Sequence, residues 1–431
     1  MKKVRNHIFI LIIIIVILIP NVNFADDEAE EVDYKELNEI IVEASSNPTD
    51  EPKINSRKAV VFDRNSKTIL YGKEENTKCA MASTTKIMTA IVVLENANLT
   101  EMVEVSKKAA GTGGSRLGLK SGDKITVLDL LYGLMMCSGN DAAVALAEKV
   151  GGNIEGFSIL MNNKAKDLNL QSTNFVTPHG LDKPEHYTTA YELAKITDYA
   201  LNNKKFANIV NTKNYTVNIN GSPKNINNTN ELLGVLEGVN GVKTGFTNGA
   251  GRCLVTSVNR QNMNIICVVL GADTKKMRTS DSIKLIEYIY KNFEQIELKD
   301  KIEEEFEKWK QTEACNIKII KGKQVPEYKI NNLGNTKIPI KHENIKDIKI
   351  IITNKEKMES PILENTVMGQ IKVMVKDKKL YNTDIVLQKN IDKKGIIDYF
   401  IQLNSQFVDV LQINLQKGIW KSQKKWYNNN E

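Results

Sequence analysis

The chain has 431 residues, 41% of them hydrophobic and 26% charged, which is enough for two folded units with tails and more than one typical domain requires. A formal net charge of +7 is a mild basic balance, and it gives no support to nucleic-acid binding. Five cysteines (Cys79, Cys137, Cys253, Cys267, Cys315) stand at spacings that suit neither a disulfide framework nor a metal, and are expected to be mostly buried thiols.

In chain order, residues 1–25 combine a basic start (Lys2, Lys3, Arg5), an unbroken apolar run from Ile8 to Ile19, and Pro20 to Ala25 ahead of an acidic stretch. This is a signal-peptide layout, with cleavage expected after Ala25 and the protein exported; an uncleaved anchor is the alternative. Residues 26–55 read as a spacer with one short helix around Tyr34 to Ala44. Strand-like runs at Lys58 to Phe62 and Thr68 to Gly72 flank a polar turn and predict a hairpin.

Next comes Ala82-Ser83-Thr84-Thr85-Lys86-Ile87-Met88-Thr89-Ala90. Positions i and i+3 share a helix face, so Lys86 can bring its amine to the Ser83 hydroxyl, as a base to a nucleophile, while the helix N-terminus favours developing negative charge. The competing reading makes Ser83 an N-cap and Lys86 a solvated first-turn residue. Ile87, Met88, Ile91 and Leu94 are spaced for one apolar face. After a Gly111–Gly114 loop, Thr126 with Asp129 marks a helix start, and the nearly all-apolar run Val127 to Met136 predicts a central helix whose exit holds Ser138-Gly139-Asn140 in a fixed place.

Helix resumes at Ala142 to Val150, and Thr173 to Ala190 is a loop rich in turn formers. Gly241-Val242-Lys243-Thr244-Gly245-Phe246 then opens a strand-like run, followed by strands at Leu254 to Val258 and Asn264 to Leu270 and a helix at Ser280 to Phe293. This order predicts an α+β unit: an antiparallel sheet with one face covered, and a helical subdomain holding Ser138. Residues 296–315 read as a linker or exposed helix from their charge. Alternating runs at Ile317 to Ile320, Asp347 to Ile352, Gln370 to Val375 and Thr383 to Leu387 predict a small, mainly β domain over 316–390.

Ser83-x-x-Lys86, Ser138-Gly-Asn140 and Lys243-Thr-Gly245 follow one another at separations of 55 (Ser83 to Ser138) and 105 (Ser138 to Lys243) positions. This set resembles the penicillin-recognising serine acyltransferases, and Ser-Gly-Asn in second place resembles the low-molecular-weight D-alanyl-D-alanine carboxypeptidases. The resemblance covers about residues 50–295 closely and 316–390 loosely. It implies a β-lactamase/transpeptidase-like domain at 56–295 that removes the terminal D-alanine of a peptidoglycan stem peptide, and is acylated by β-lactams.

On that resemblance Ser83 is the nucleophile, Lys86 the base, Ser138 a proton relay to the leaving amine, and Asn140 a hold on Lys86 and the substrate amide. Lys243 and Thr244 bind the terminal carboxylate. Gly245 allows close approach, and the N–H groups of Ser83 and Phe246 form the oxyanion hole. The Pro178-His179-Gly180-Leu181-Asp182 stretch is placed at the rim. A catalytic histidine would have to be His179 or His186, neither near a Gly-x-Ser-x-Gly elbow, so lysine is the better base. No His-x-x-His or Cys-x-x-Cys pattern occurs, so neither a metal nor another cofactor is expected. No Glu-x-x-x-Asn lies between Gln171 and Leu201, unlike class A β-lactamases.

Transpeptidase or endopeptidase action, and a non-turnover β-lactam sensor or wall-binding module, are the alternatives. The resemblance also implies the outer face of a bacterial membrane or the wall. There Lys393 to Glu431, with six lysines, three acids, Trp420 and Trp426, reads as an interfacial helix through Ile396, Ile397, Phe400, Ile401, Leu403, Phe407, Val410 and Leu411. Packing of that tail on the β domain is the other reading.

Overall fold

The computed structural model describes residues 33–46 and 51–428, so the expected signal segment lies outside the described residues. The chain divides into two compact units, residues 1–295 and 296–431.

In the first unit, helix α1 (Tyr34–Ser46) turns Leu37, Ile40, Ile41 and Ala44 inward. The expected hairpin follows as β1 (Lys58–Asp63) and β2 (Ile69–Lys73), paired antiparallel. A 3₁₀ turn, Ala82–Thr85, leads directly into α2 (Lys86–Asn96). Here the single apolar face expected of this helix is corrected: every residue from Lys86 to Val93 is buried, because the helix runs through the middle of the core. Short β3 (Met102–Glu104), α3 (Lys107–Ala110) and β4 (Lys124–Thr126) precede α4 (Val127–Met136), which Thr126 caps by accepting from the Asp129 N–H.

Helices α5 (Asn140–Gly151), α6 (Ile154–Asp167), α7 (Ala190–Leu201) and α8 (Lys204–Val210) complete the helical layer, and β5 (Asn214–Ile219) with β6 (Ser222–Asn227) forms a hairpin on it. Strands β7 (Val239–Thr247), β8 (Gly251–Arg260) and β9 (Met263–Ala272) then join the first hairpin in an antiparallel sheet of order β2-β1-β9-β8-β7. Helix α9 (Lys275–Asn292) starts five residues earlier than expected, since the Thr274 hydroxyl caps it by accepting from Met277.

The sheet is covered on both faces, not one. Along β1 and β9, Val60, Phe62, Ile266, Val268 and Leu270 point to the helical core, while Ala59, Val61, Ile265, Cys267 and Val269 point to the core lined by α1 and α9. Period-2 alternation survives, but apolar residues occupy both phases, which is why the run reads as continuous. The strand order leaves β7 as an edge strand, with one row of backbone groups not used by the sheet.

Strand β10 (Phe293–Glu297) carries the chain into the second unit. Residues 296–315 are corrected from linker to core element. In α10 (Lys299–Thr312) Ile302, Phe306 and Trp309 are buried at helical spacing, and Trp309 meets Tyr328 edge-on at 5.3 Å. Strands β11 (Lys318–Ile320), β12 (Tyr328–Ile330), β13 (Lys337–Lys341), β14 (Ile348–Asn354), β15 (Lys357–Glu359), β16 (Val367–Val375) and β17 (Lys378–Leu387) follow, four of them forming a sheet of order β12-β17-β16-β14.

The tail is one helix, α11 (Ile396–Asn428). Its root is fixed by Asp398, which accepts from the Gly395 N–H at 2.9 Å and pairs with Lys323 at 3.1 Å. On either side of it Ile396, Ile397, Phe400, Ile401, Leu403 and Phe407 are exposed, against the reading in which they pack on the β domain. Val410, Leu411 and Trp426 lie outside the described side chains. The cysteines form no disulfide; Cys253 and Cys267 are buried, Cys79 and Cys137 half-buried, and Cys315 exposed, so "mostly buried" holds for fewer of them than expected.

Candidate active site

Ser83 sits inside the 3₁₀ turn ahead of α2, and the capping alternative does not occur, since the N-cap positions fall on Met81 and Thr85, the Ser83 hydroxyl faces Lys86, and Lys86 is buried. The turn is pinned by its own neighbours. Thr84 donates to the Met81 carbonyl, Thr85 to the Ala82 carbonyl at 2.8 Å, and Thr89 to the Pro178 carbonyl at 2.6 Å. Ala82 stands at φ +49°, a left-handed conformation that costs a non-glycine residue about 1–2 kcal/mol and marks a held backbone.

Lys86 is completely buried and donates to three acceptors: Ser83 Oγ at 2.7 Å, Asn140 Oδ1 at 2.7 Å and the His179 carbonyl at 3.0 Å. These match the three N–H bonds of an ammonium. A neutral amine keeps two of them, for Asn140 and His179, and can turn its lone pair to the Ser83 hydroxyl proton, so both protonation states are satisfied in one geometry. Burial first, and the Lys243 charge second, pull the Lys86 pKa well below the ordinary lysine value, with Asp141 opposing them.

Asn140 opens α5, and its amide is oriented by donation from Nδ2 to the Gly113 carbonyl at 2.7 Å. Ser138, two residues earlier, is buried and at φ +58°, so the turn between α4 and α5 presents it from a fixed backbone. Lys243 is also buried, on the edge strand β7, with Nζ donating to the Thr244 carbonyl at 3.0 Å; Thr244 Oγ1 lies 2.9 Å from Thr229 Oγ1. A Cβ placed on Gly245 would stand 3.0 Å from the Ser83 nitrogen and 3.2 Å from the Thr84 nitrogen, so the strand runs directly against the serine turn. Phe246 follows, half-buried, with the Arg252 guanidinium 4.0 Å from its ring centre. The folded chain therefore brings Ser83, Lys86, Asn140 and Gly245 into direct apposition, with Lys243 near enough to act on the Lys86 charge.

Neither histidine is arranged as a base. His179 accepts from the Leu181 N–H through Nδ1 at 3.2 Å, and burial, followed by the Lys86 charge, pushes its pKa down to about 3. His186 accepts from the Val176 N–H through Nδ1 at 2.9 Å, which leaves Nε2–H to face Thr85 Oγ1 at 2.8 Å; burial pushes it down to about 4. Glu192, a carboxylate packed against the 171–173 stretch, is occupied by the N–H groups of Gln171 and Ser172 and by the Thr173 hydroxyl.

Several contributors lie in stretches whose residues the sequence gives no individual role, the Pro178–Asp182 rim among them. The His179 carbonyl is a backbone group. Gly180 has φ +90°, and a Cβ there would stand 1.9 Å from the Ala82 carbonyl, so only glycine lets this loop close on the serine turn. Asp182 ties the same loop to the end of β7 by accepting from Thr247 Oγ1 at 2.6 Å and from the Gly249 N–H at 2.9 Å. In the Asn228–Leu233 stretch, Glu231 forms a buried ion pair with Arg278.

The family model described as D-alanyl-D-alanine carboxypeptidase (peptidase S11) matches residues 43–274. The chain is 33% identical to the Bacillus subtilis D-alanyl-D-alanine carboxypeptidase DacF over 355 residues, spanning 80% of this chain and 88% of that protein. With the Escherichia coli D-alanyl-D-alanine carboxypeptidase DacC it shares 32% identity over 82% of this chain and 88% of that one. Among solved structures, penicillin binding protein 5 from Haemophilus influenzae aligns with a TM-score of 0.68 at 27% identity, covering 80% of this chain and all (100%) of that one. The Streptomyces K15 DD-transpeptidase aligns with a TM-score of 0.53 at 37% identity, covering 56% and 98%.

Proposed function

The chain belongs to the D-alanyl-D-alanine carboxypeptidase family, and from that membership we propose that it removes the terminal D-alanine of peptidoglycan stem peptides through an ester on Ser83. The observation that carries this reading is the 2.7 Å contact between Lys86 Nζ and Ser83 Oγ, made by a lysine whose pKa is held well below the ordinary value.

Ser83 Oγ attacks the carbonyl carbon of the penultimate D-alanine while its proton passes to Lys86. The oxyanion is received by the N–H groups of Ser83 and Phe246, each such donor typically supplying about 3 kcal/mol. Ser138 relays a proton to the departing amine as the C–N bond breaks. Asn140 holds Lys86 and the substrate amide, and Lys243 with Thr244 takes the terminal carboxylate. Water then attacks the ester, giving the shortened peptide and Ser83 again. A β-lactam enters the same sequence when its ring amide opens onto Ser83 Oγ.

Residues 56–295 form the catalytic domain on this reading, and residues 316–390 lie in a β domain. The tail contacts an anionic membrane surface, supported by the exposed apolar side chains of α11 and by its lysines, and the exported protein works at the outer face of the membrane or in the wall. Incubation with a D-alanyl-D-alanine stem peptide tests the reaction. Free D-alanine supports carboxypeptidase action, a cross-linked dimer transpeptidation, and unchanged substrate overturns both; Ser83→Ala is expected to abolish release.

A further inference from the structure

We infer that Asp141 is a positioning residue for this reaction: its carboxylate fastens the 113–119 loop to the start of α5, and thereby fixes the amide of Asn140 against Lys86. The assignment rests on the reading of Ser83 and Lys86 as the reacting pair. Asp141 is fully buried and adjoins Asn140. Its Oδ1 accepts from the N–H groups of Leu117 at 2.8 Å and Ala142 at 2.9 Å, and its Oδ2 from those of Gly118 at 2.8 Å and Leu119 at 2.9 Å. Four backbone donors on one buried carboxylate make a strong, charge-assisted clasp.

The consequence reaches Asn140 through the loop. The Asn140 N–H donates to the Ser115 carbonyl at 2.8 Å, and its Nδ2 donates to the Gly113 carbonyl at 2.7 Å, so the loop decides which end of the amide faces Lys86. Gly114 stands at φ +81° with room for no Cβ, since one would lie 2.6 Å from Asn140 Nδ2. A loop released by the clasp leaves Asn140 to rotate, and Lys86 loses a defined acceptor.

Asp141 also places a negative charge near Lys86. The charged groups facing Lys86 are Lys243 from β7 and Asp141 from α5, while His179 from the rim loop is neutral near pH 7; Arg116 lies 4.0 Å from Asp141 on its solvent side. Removing the Asp141 charge makes Lys86 easier to deprotonate, so the acid limb of the acylation profile moves to lower pH. Asparagine at this position would direct an NH₂ group at two N–H donors whichever way it flips.

The test measures the rate constant for covalent labelling by a fluorescent penicillin, per folded molecule and across pH, for the full chain and for Asp141→Asn and Asp141→Glu. Asp141→Asn is expected to acylate roughly tenfold or more slowly at the plateau, with its acid limb displaced to lower pH. Asp141→Glu, which keeps the charge but misplaces the carboxylate, is expected to be slower with the wild-type limb, and carries the test if Asp141→Asn does not fold. Wild-type rate constants and limb in the folded variants, with only the melting temperature lowered, overturn the inference. Absence of labelling in the wild type itself would instead overturn the reading of Ser83.

Discussion

Gly245 and Ser83, 162 positions apart in sequence, approach so closely that a methyl group on the glycine would stand 3.0 Å from the serine nitrogen. The backbone of an edge strand is thus laid against the turn that carries Ser83, where both can present N–H groups to one oxygen. Gly245→Val is expected to push β7 away and slow penicillin acylation by roughly a hundredfold, about the value of one oxyanion donor. Circular dichroism should show the fold retained; wild-type acylation in the variant would argue against a shared oxyanion site.

The proposed pair of Ser83 and Lys86 predicts a simple contrast. Lys86→Ala should fold and fail to acylate, whereas His179→Ala should still label with penicillin, because His179 is held neutral and turned to its own loop. Loss of labelling in His179→Ala, with labelling kept in Lys86→Ala, would reverse the assignment of the base.

Lys86 also predicts how stability responds to pH. Its folded pKa lies below its unfolded one, so between the two values the unfolded chain binds more protons and stability rises with pH. The wild type should therefore gain stability relative to Lys86→Met as pH increases from the folded pKa towards about 10.5. Thermal midpoints of both proteins across this range measure the effect, and a constant difference would show that Lys86 is not held neutral.

The histidines act on the acid side with the same sign. The folded pKa of His186 is depressed to about 4 from 6.5, so its contribution is intact above 6.5 and is lost as pH falls through 4. That shift corresponds to roughly 3 kcal/mol. His186→Gln is expected to lose less stability than the wild type between pH 6.5 and 4, read by denaturant titration at each pH; a parallel loss would place the acid sensitivity elsewhere.

The tail predicts a separable function. Removing residues 393–431 should abolish sedimentation with anionic liposomes while leaving penicillin labelling unchanged, since no residue of the site lies there. Equal liposome binding by the shortened protein would show that α11 is not the membrane contact.

Ser83 and Lys86 were legible as a pair because a helical i to i+3 relation needs only the helix to form, whereas Ser138, Asn140 and Lys243, far from them in sequence, became candidates only through the resemblance of the three motifs to a known family. The hairpin, the run Val127 to Met136 and the strands β8 and β9 were legible because periodicity and caps are local. The tertiary structure alone decided the rest. It determined that α2 is buried all round, that the sheet is covered on both faces, and that α10 belongs to a core, because burial depends on what packs opposite and not on the residue's own pattern. It also decided which backbone groups serve the site: the His179 carbonyl facing Lys86, the Gly180 approach to Ala82, and the N–H groups clasped by Asp141. A backbone carbonyl or amide is the same in almost every residue, so its role comes only from where folding puts it.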